Sequence, residues 1–451
     1  MSAAGSRIDA VTLEPEPSAW ADLARARFAE LDEPSRNARL ALGLPIDRPV
    51  IASGHQAQLW HAGIATKALA MHAVSEAVGG ASCWIIVDTD EYAPGRLAWP
   101  ARRDEALTRA EADVFGATPD QHVHPRASAR PPAHIEMNDA VLNNLSGAVR
   151  RGCQAIGAHV DAPSIAHQVS LAAFDLLGGA GGHPVFVPVG AMLASGAWDD
   201  LLYRLRAHPA LAHDTYNTAV RAHTDAGVLP LGSRPDRGVE LALWRLQSPS
   251  VRRRVFERDL DTIPVTELAP RALLMTLMVR MRLCDLFIHG TGGETYDRVT
   301  EAWAQDWLDA ALAPMTVATA DVRLPVHDQP VTERDVAHAA WRAPHAAHHP
   351  GDLGDDTNQH LRDELVERIA EAERGSAHRA ALYAELHELL QRVRIERAEH
   401  LRAHQHRSQE LHQQYAERDI AEDRTWSVAL LDTETIERLV DRVRAMIVQA
   451  D

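Results

Sequence analysis

The chain has 451 residues, 46% of them hydrophobic and 24% charged, a balance that excludes a disordered chain, a collagen-like repeat and a small disulfide-stapled scaffold. Lys+Arg 46 against Asp+Glu 63 gives a net charge of −17 with histidine neutral, a field that repels phosphate backbones and excludes general nucleic-acid binding. No stretch approaches the roughly 18–20 apolar residues of a membrane span, the first residues lack the basic start and apolar core of a signal peptide, and three scattered cysteines, Cys83, Cys153 and Cys284, suit a reducing cytoplasm and no zinc motif.

Residues 1–48 read as an N-terminal helical leader with Trp20, Leu23, Phe28 and Leu31 on its buried side. The next segment carries the chain's one lysine: of 46 basic residues, only Lys67 is not arginine. In a chain that uses arginine wherever either cation serves, a retained lysine marks a place where a compact ammonium works and a broad guanidinium does not. Phosphate-binding lysines fit that description. Before it stand the apolar run Pro49-Val-Ile-Ala-Ser53, the turn Gly54-His55-Gln56, and a stretch from Ala57 to Val78 with Leu59, Ile64, Leu69 and Val74 near a helical period. A strand, a glycine turn and a helix open a βα unit, and open α/β sheets bind ligands at that edge. Exposed amides at the helix start suit an anion. The segment holds neither a dinucleotide fingerprint nor a Walker A loop. His55 and His61 are open between ligand contact, acid–base group and surface residue.

A second apolar run, Cys83-Trp-Ile-Ile-Val87, ends in Asp88-Thr-Asp-Glu91, carboxylates at the place where α/β enzymes hold ligands or a general base. Asp88, nearest the strand, is the preferred member, and Glu91 reads as a loop or capping residue. Residues 101–165 read as an insertion, and His183-Pro-Val-Phe-Val-Pro-Val189 as another buried strand. A helix over about 197–224 and strands at Gly227–Leu231 and Val239–Leu246 follow. Then comes a second strand–turn–helix corner: Leu283-Cys-Asp-Leu-Phe-Ile-His289, Gly290-Thr-Gly-Gly293 and Glu294-Thr-Tyr-Asp-Arg-Val-Thr-Glu-Ala-Trp303. Its glycines let a backbone approach a ligand closely.

The composition changes near residue 355. Leu361, Leu365 and Ile369 are spaced by four, and Leu382, Leu386, Leu389 and Val393 follow the 4-3-4 step of a heptad seam, with Gly375-Ser376 either a break between two helices or a point within one continuous helix. This reads as a coiled-coil arm over 355–424 that pairs with itself or with a second subunit. The final helix, Thr433–Gln449, has Asp432 as N-cap and an apolar face of Ile436, Leu439, Val440, Val443 and Ile447 that needs the globular body to cover it. His338, His345, His348 and His349 lie in the Ala/Pro-rich connector 336–354. They fit no defined metal spacing and read as a histidine-rich linker, so no metal is assigned.

Together these motifs resemble the bacillithiol-biosynthesis cysteine-adding enzymes, the cysteine ligase family. There a Thr-Gly-Gln-Gln turn precedes a helix with Gly-Pro-Leu-Tyr and a lysine, then a strand ending in Glu-Asp-His-Asp, and later a Gly-Pro-Gly-Glu-x-x-Tyr turn. Here the matching stretches are Ser53-Gly-His-Gln56, Ala62-Gly-Ile-Ala-Thr-Lys67, Asp88-Thr-Asp-Glu91 and Gly290-Thr-Gly-Gly-Glu-Thr-Tyr296, with Ala269-Pro-Arg271 in place of Asn-Pro-Arg. The resemblance is scattered over residues 49–420. It implies an α/β fold with a Rossmann-like parallel-sheet core over 49–335, a C-terminal α-helical coiled-coil arm used in homodimerisation, and 425–451 packed on the core. It also implies a nucleotide-type pocket and a reaction joining cysteine's carboxyl to an amine of a small-molecule substrate. Carried over, Lys67 supplies positive charge, Gly54 and Gln56 line the pocket, Asp88 and Asp90 hold polar groups, and Gly292, Gly293, Glu294 and Tyr296 form the opposite wall. His61 and Gly290 complete the expected lining, and His55 or Asp88 is the expected base. No cofactor is assigned; ATP or ADP with magnesium is the candidate. His55, Thr89 and the missing turn proline depart from the family and point to a different substrate. The alternative is an inactive nucleotide- or small-molecule-binding module acting as a dimeric scaffold.

Overall fold

The computed structural model describes residues 6–103, 106–116, 124–135, 140–141, 145–247, 251–326 and 331–448. It is a mixed α/β structure with a largely parallel central sheet and many helices. The sheet has six strands: β1 (Arg7–Glu14), β2 (Val50–Gln56), β3 (Ala81–Val87), β4 (Val185–Pro188), β5 (Leu286–His289) and β6 (Met315–Arg323). Their spatial order is β1-β6-β5-β2-β3-β4, with β1 antiparallel at the edge and every other pairing parallel. The inner strands are apolar on both faces: Val50, Ile51 and Ala52 are buried, as are Cys83 to Ile86 and Leu286 to Ile288. Continuous runs of this kind are what a sheet covered on both sides requires.

Chain order steps outward from β2 to β3 and β4, then returns to β5 on the other side of β2 and steps away to β6. The sheet therefore reverses direction between β2 and β5, and the crevice beyond their C-terminal ends is where open α/β sheets bind ligands. One carboxylate holds these two strands together at their other ends. Asp285, just before β5, accepts the Val50 amide at 2.7 Å and the Arg39 guanidinium at 2.7 Å, while its own amide donates to the Val50 carbonyl at 2.8 Å. Both side chains of the Arg39–Asp285 pair are 1% exposed.

Helix α1 (Ala62–Ala77) crosses the sheet beneath β6 and under the C-terminal helix. Its alanines 65, 68, 70 and 73 are all buried, and their small side chains let it be covered from several directions. It starts at Ala62, not at residue 57, because His61 serves as N-cap with Nδ1 accepting the Gly63 amide at 3.1 Å. Helix α2 (Gly293–Leu308) follows β5, and α3 (Thr433–Val448) packs on α1 and β1, capped by Asp432 through the Thr435 amide at 2.7 Å.

Several expectations are corrected. The leader is not all helix: Arg7–Glu14 is the edge strand β1, followed by helices Trp20–Ala29 and Glu33–Ala41. An exposed edge strand alternates too weakly to declare itself in sequence. Of its expected buried side, Trp20 is fully buried while Leu23, Phe28 and Leu31 are half-buried. The helix expected over 197–224 breaks at His208-Pro209 into Asp199–Ala207 and Pro209–Ala222, as proline dictates. Gly227–Leu231 is not a strand, whereas Gly238–Gln247 is the centre of a small antiparallel sheet with Val251–Phe256 and Leu268–Pro270. The insertion contains strands Arg96–Arg103 and Ala106–Asp113 and helix Leu145–Gly157.

The chain divides into two compact units. One comprises Met1–Ala101, Arg109–Pro325 and Arg424–Asp451; the other comprises Arg102–Thr108 and Val326–Asp423. In the second unit the supposed connector is ordered helix, Glu333–Ala346, opened by a reciprocal Thr332–Asp335 cap. Alanine-rich sequence favours that outcome over a linker. Helix Asp356–Glu371 packs on Ala377–Glu396, and Glu333–Ala346 on Ala398–Ala416. The break falls at Gly375, φ +86°, with Ser376 capping the next helix. Seam residues Leu382, Leu389 and Val393 are buried with Leu365 and Ile369 inside this unit. Among the described residues no helix is long and apolar enough to cross a membrane.

Removing Asp285 leaves the Arg39 charge sealed without the carboxylate that balances it, with only the Arg282 carbonyl at 3.4 Å, and releases the β2–β5 clamp. Asp285→Ala is expected to destabilise the first unit by about 3–5 kcal/mol in urea unfolding. A loss under about 1 kcal/mol would show that the clamp is dispensable.

Candidate functional site

At the reversal point lies a cavity of about 520 Å³, in the range of roughly 300–1,000 Å³ typical of small-ligand sites. Its walls come from the end of β2 (Gly54, His55, Gln56), the start of α1 (His61, Gly63, Ile64, Lys67), the segment after β3 (Thr89, Asp90) and the turn after β5 (His289 to Gly293, with Tyr296). Pro270, Met275, Thr319 and Arg424 complete it.

Lys67 sits on the inward face of α1, 5% exposed. Its Nζ donates to the Gly54 carbonyl at 2.6 Å and lies 5.6 Å from the centre of the Trp84 ring. No carboxylate among the described residues forms an ion pair with it. Burial without a counter-charge lowers its pKa to about 7. Gly54 is required where it stands, since a Cβ there would lie 2.6 Å from the Ile85 carbonyl oxygen on the neighbouring strand. His55 is brought down to about 3 by burial, then by the Lys67 charge, with His61 adding to both. Its Nδ1 donates to the Gln56 carbonyl at 3.1 Å, so the ring is a neutral polar contact at ordinary pH and a weak base.

Gln56 Nε2 donates to Asp90 Oδ2 at 3.1 Å, and Arg252 Nη1 reaches Asp90 Oδ1 at 2.5 Å. Arg252 and Arg271 lie over the Trp244 ring at 4.5 and 4.6 Å, which holds Arg252 toward the site. Tyr92 ties the ends of β2 and β3, its hydroxyl accepting the Ala57 amide at 2.9 Å and donating to the Val87 carbonyl at 2.8 Å. On the opposite wall, Gly292 stands at the N-cap of α2 and has no side chain to cap it; the Gly293 amide donates to the Gly290 carbonyl at 2.9 Å, and this end of the helix lines the cavity as an anion-compatible terminus. Tyr296 lines the cavity, its phenol kept protonated chiefly by burial.

The expected residues thus converge, with two exceptions. Asp88 is not in the cavity: its Oδ1 accepts the Gly190 amide at 2.8 Å at the start of the short helix after β4. Burial raises it to about 6, against the Gly190 bond, and of the two aspartates only Asp90 lines the cavity. The side chain of Glu294 lies outside the described residues. The residues missed by sequence reading are His289, Thr319, Arg252 and Arg424. Only His289 carried a local signal, a titratable side chain ending a buried strand beside a glycine turn. Arg252 and Arg424 arrive from distant elements, with Arg424 paired to Asp321. Among the described residues no cluster of histidine, cysteine and acidic side chains can hold a metal. His345 and His349 of the former connector stack on each other at 3.7 Å, with Trp341 on the other face of His345.

No protein-family model matches this chain, and no curated protein matches it.

A buried lysine whose pKa is lowered opposes folding wherever the unfolded chain is protonated, most of all where the native one must be protonated too. Between about pH 7 and 10.5 the unfolded state binds more protons, so this contribution improves as pH rises and is most unfavourable below 7. Lys67→Met is expected to raise stability by roughly 1–4 kcal/mol at pH 7, with the gain shrinking toward pH 10 in denaturant titrations. A gain independent of pH would contradict a suppressed Lys67 charge.

Proposed function

We propose that the chain is an enzyme that joins a carboxylate, cysteine or a related acid, to an amine, with a nucleotide-type pocket at the 54–67 and 290–296 corners. The observation that carries this reading is the convergence of Lys67, His55, Gln56 and Asp90 with the Gly290–Gly293 turn on one cavity at the sheet's reversal point. An ammonium lacking a counter-ion and an uncapped helix terminus form a receptor for an anion, and a preorganised receptor of that kind stabilises the charge that develops when an acyl group is transferred. The polar pair Gln56 and Asp90, backed by Arg252, suits the amine end of a substrate.

In this reading the parallel sheet is a Rossmann-like core and the helical unit a coiled-coil arm folded back on itself. The resemblance to the cysteine-adding enzymes supports the reaction class, and His55 and Thr89 at family positions support a changed substrate. The alternative of an inactive scaffold is disfavoured because a scaffold has no use for a sealed lysine that lowers its own stability.

Calorimetric titration of ATP and ADP, with and without magnesium, tests the pocket. Wild type is expected to bind and Lys67→Ala to bind about 10- to 100-fold more weakly; binding indifferent to Lys67, or none at all, would overturn the assignment. Because the anion favours the ammonium form, ADP affinity is also expected to fall between about pH 7.5 and 9, by at most tenfold per pH unit. In Lys67→Ala that slope should vanish.

A further inference from the structure

Neither of the two side chains that the sequence offers as a base is suited to act as one. Asp88 is bonded outside the cavity, and His55 is held neutral near the Lys67 charge. A third titratable group lines the same cavity. His289 ends β5 and presents its ring between the Gly290 turn and the first turn of α2. Its Nε2 points away from the ligand space, 3.3 Å from Asp297 Oδ2. Asp297 is fully buried one turn into α2, and its Oδ2 also faces Arg280 Nη1 at 3.1 Å. Arg280, 2% exposed, is itself anchored by the Ala313 carbonyl at 2.9 Å and by Glu301 at 2.5 Å.

Arg280 and Asp297 form the sealed ion pair of this group, while Glu301 reaches Arg280 from the half-exposed side. A buried carboxylate behind an imidazole orients the ring and stabilises the imidazolium that forms when a general base takes a proton. The fit is also steric. Gly293 leaves the space the ring occupies, since a Cβ there would stand 2.1 Å from His289 Nδ1. The ion pairs are in range, but neither His289 Nε2 nor Asp297 has a hydrogen bond of good geometry, a looseness common in sites before substrate binds.

We infer that His289 is the general base of this site and that Asp297 is its positioning residue, holding the proton on Nε2 and leaving the Nδ1 lone pair for the ligand. This rests on the carboxylate–amine ligation proposed above. With the carboxylate activated as an acyl phosphate or adenylate by a nucleoside triphosphate, the amine lone pair forms the C–N bond. The carbon–oxygen bond to the phosphoryl group breaks, its electron pair leaving on the phosphate oxygen, and the amine proton passes to His289 Nδ1. Lys67 and the α2 terminus face the departing anion, while Asp297 faces the imidazolium.

The experiment needs no identified substrate. The full-length chain, labelled with ¹⁵N in its imidazoles, is examined by NMR at about pH 8, with the His289 signals assigned by their loss in His289→Gln. The neutral Nε2–H tautomer is expected, and its loss in Asp297→Asn. An Nδ1–H tautomer, an imidazolium, or a tautomer indifferent to Asp297 would overturn the inference. Should Asp297→Asn not fold, the wild-type tautomer still decides, together with Gly293→Ala, whose methyl is expected to displace the ring and abolish the preference. Reactivity separates a base from a structural imidazole: diethyl pyrocarbonate, followed by mass spectrometry, is expected to acylate His289 faster than His55 in the same cavity. The reverse order would sink the proposal. Protection by ADP reads the pocket separately. Missing protection with the tautomer intact removes the nucleotide reading and keeps the base, whereas protection with the wrong tautomer does the opposite.

Discussion

The Asp285 carboxylate sets the frame in which the site is possible. It binds the first amide of β2 and the Arg39 guanidinium while its own backbone pairs with β2. The two strands that flank the reversal point are therefore locked in register at their N-terminal ends. Strands are stiff over this length, so a register set at one end positions the loops at the other. Gly54–Gln56 and His289–Gly293 leave the sheet side by side because of it. A slip of one residue would turn every side chain on β5 to the opposite face and carry His289 out of the cavity.

On this frame, the chain buries a lysine against the usual rules, and burial suppresses its charge. Lys67 has one backbone oxygen and one aromatic face for company, and burial, with Lys67 adding to it, keeps His55 neutral. Against a net charge of −17 overall, the carboxylate that lines this cavity among the described residues, Asp90, is already occupied by Gln56 and Arg252. In the proposed reading such a site takes an anion locally in a molecule that repels anions globally, which favours a small ligand able to enter over a polyanion lying along the surface. On the opposite wall the α2 terminus faces the same space, and the buried Asp297 carboxylate lies beneath His289.

The second unit shows how far a pattern in sequence constrains a partner. The steps of Leu382, Leu389 and Val393 specify an apolar seam, but not what closes it. In the structure Leu365 and Ile369 of the preceding helix do so. The histidine-rich stretch before it likewise becomes a helix, where the alanines between its histidines outweigh the single Pro344 in the last turn.

The sequence by itself determined the local chemistry. It specified the apolar inner strands, the glycine turns after β2 and β5, the breaks at Gly375 and Asp432, and the lone lysine, because each depends on residues adjacent in the chain. The gathering of nearly all the expected site residues was legible for the same reason, since strand–turn–helix corners place their turns at one sheet edge. Only tertiary structure decided which carboxylate faces the ligand. Asp88 and Asp90 are two residues apart, and the choice turns on Gly190, roughly a hundred residues away, whose amide claims Asp88. Arg252, Arg424 and the Asp297–Arg280 group beneath His289 likewise come from separate elements. Side-chain direction and long-range electrostatics depend on what packs across the space between elements, and no neighbour in sequence records that.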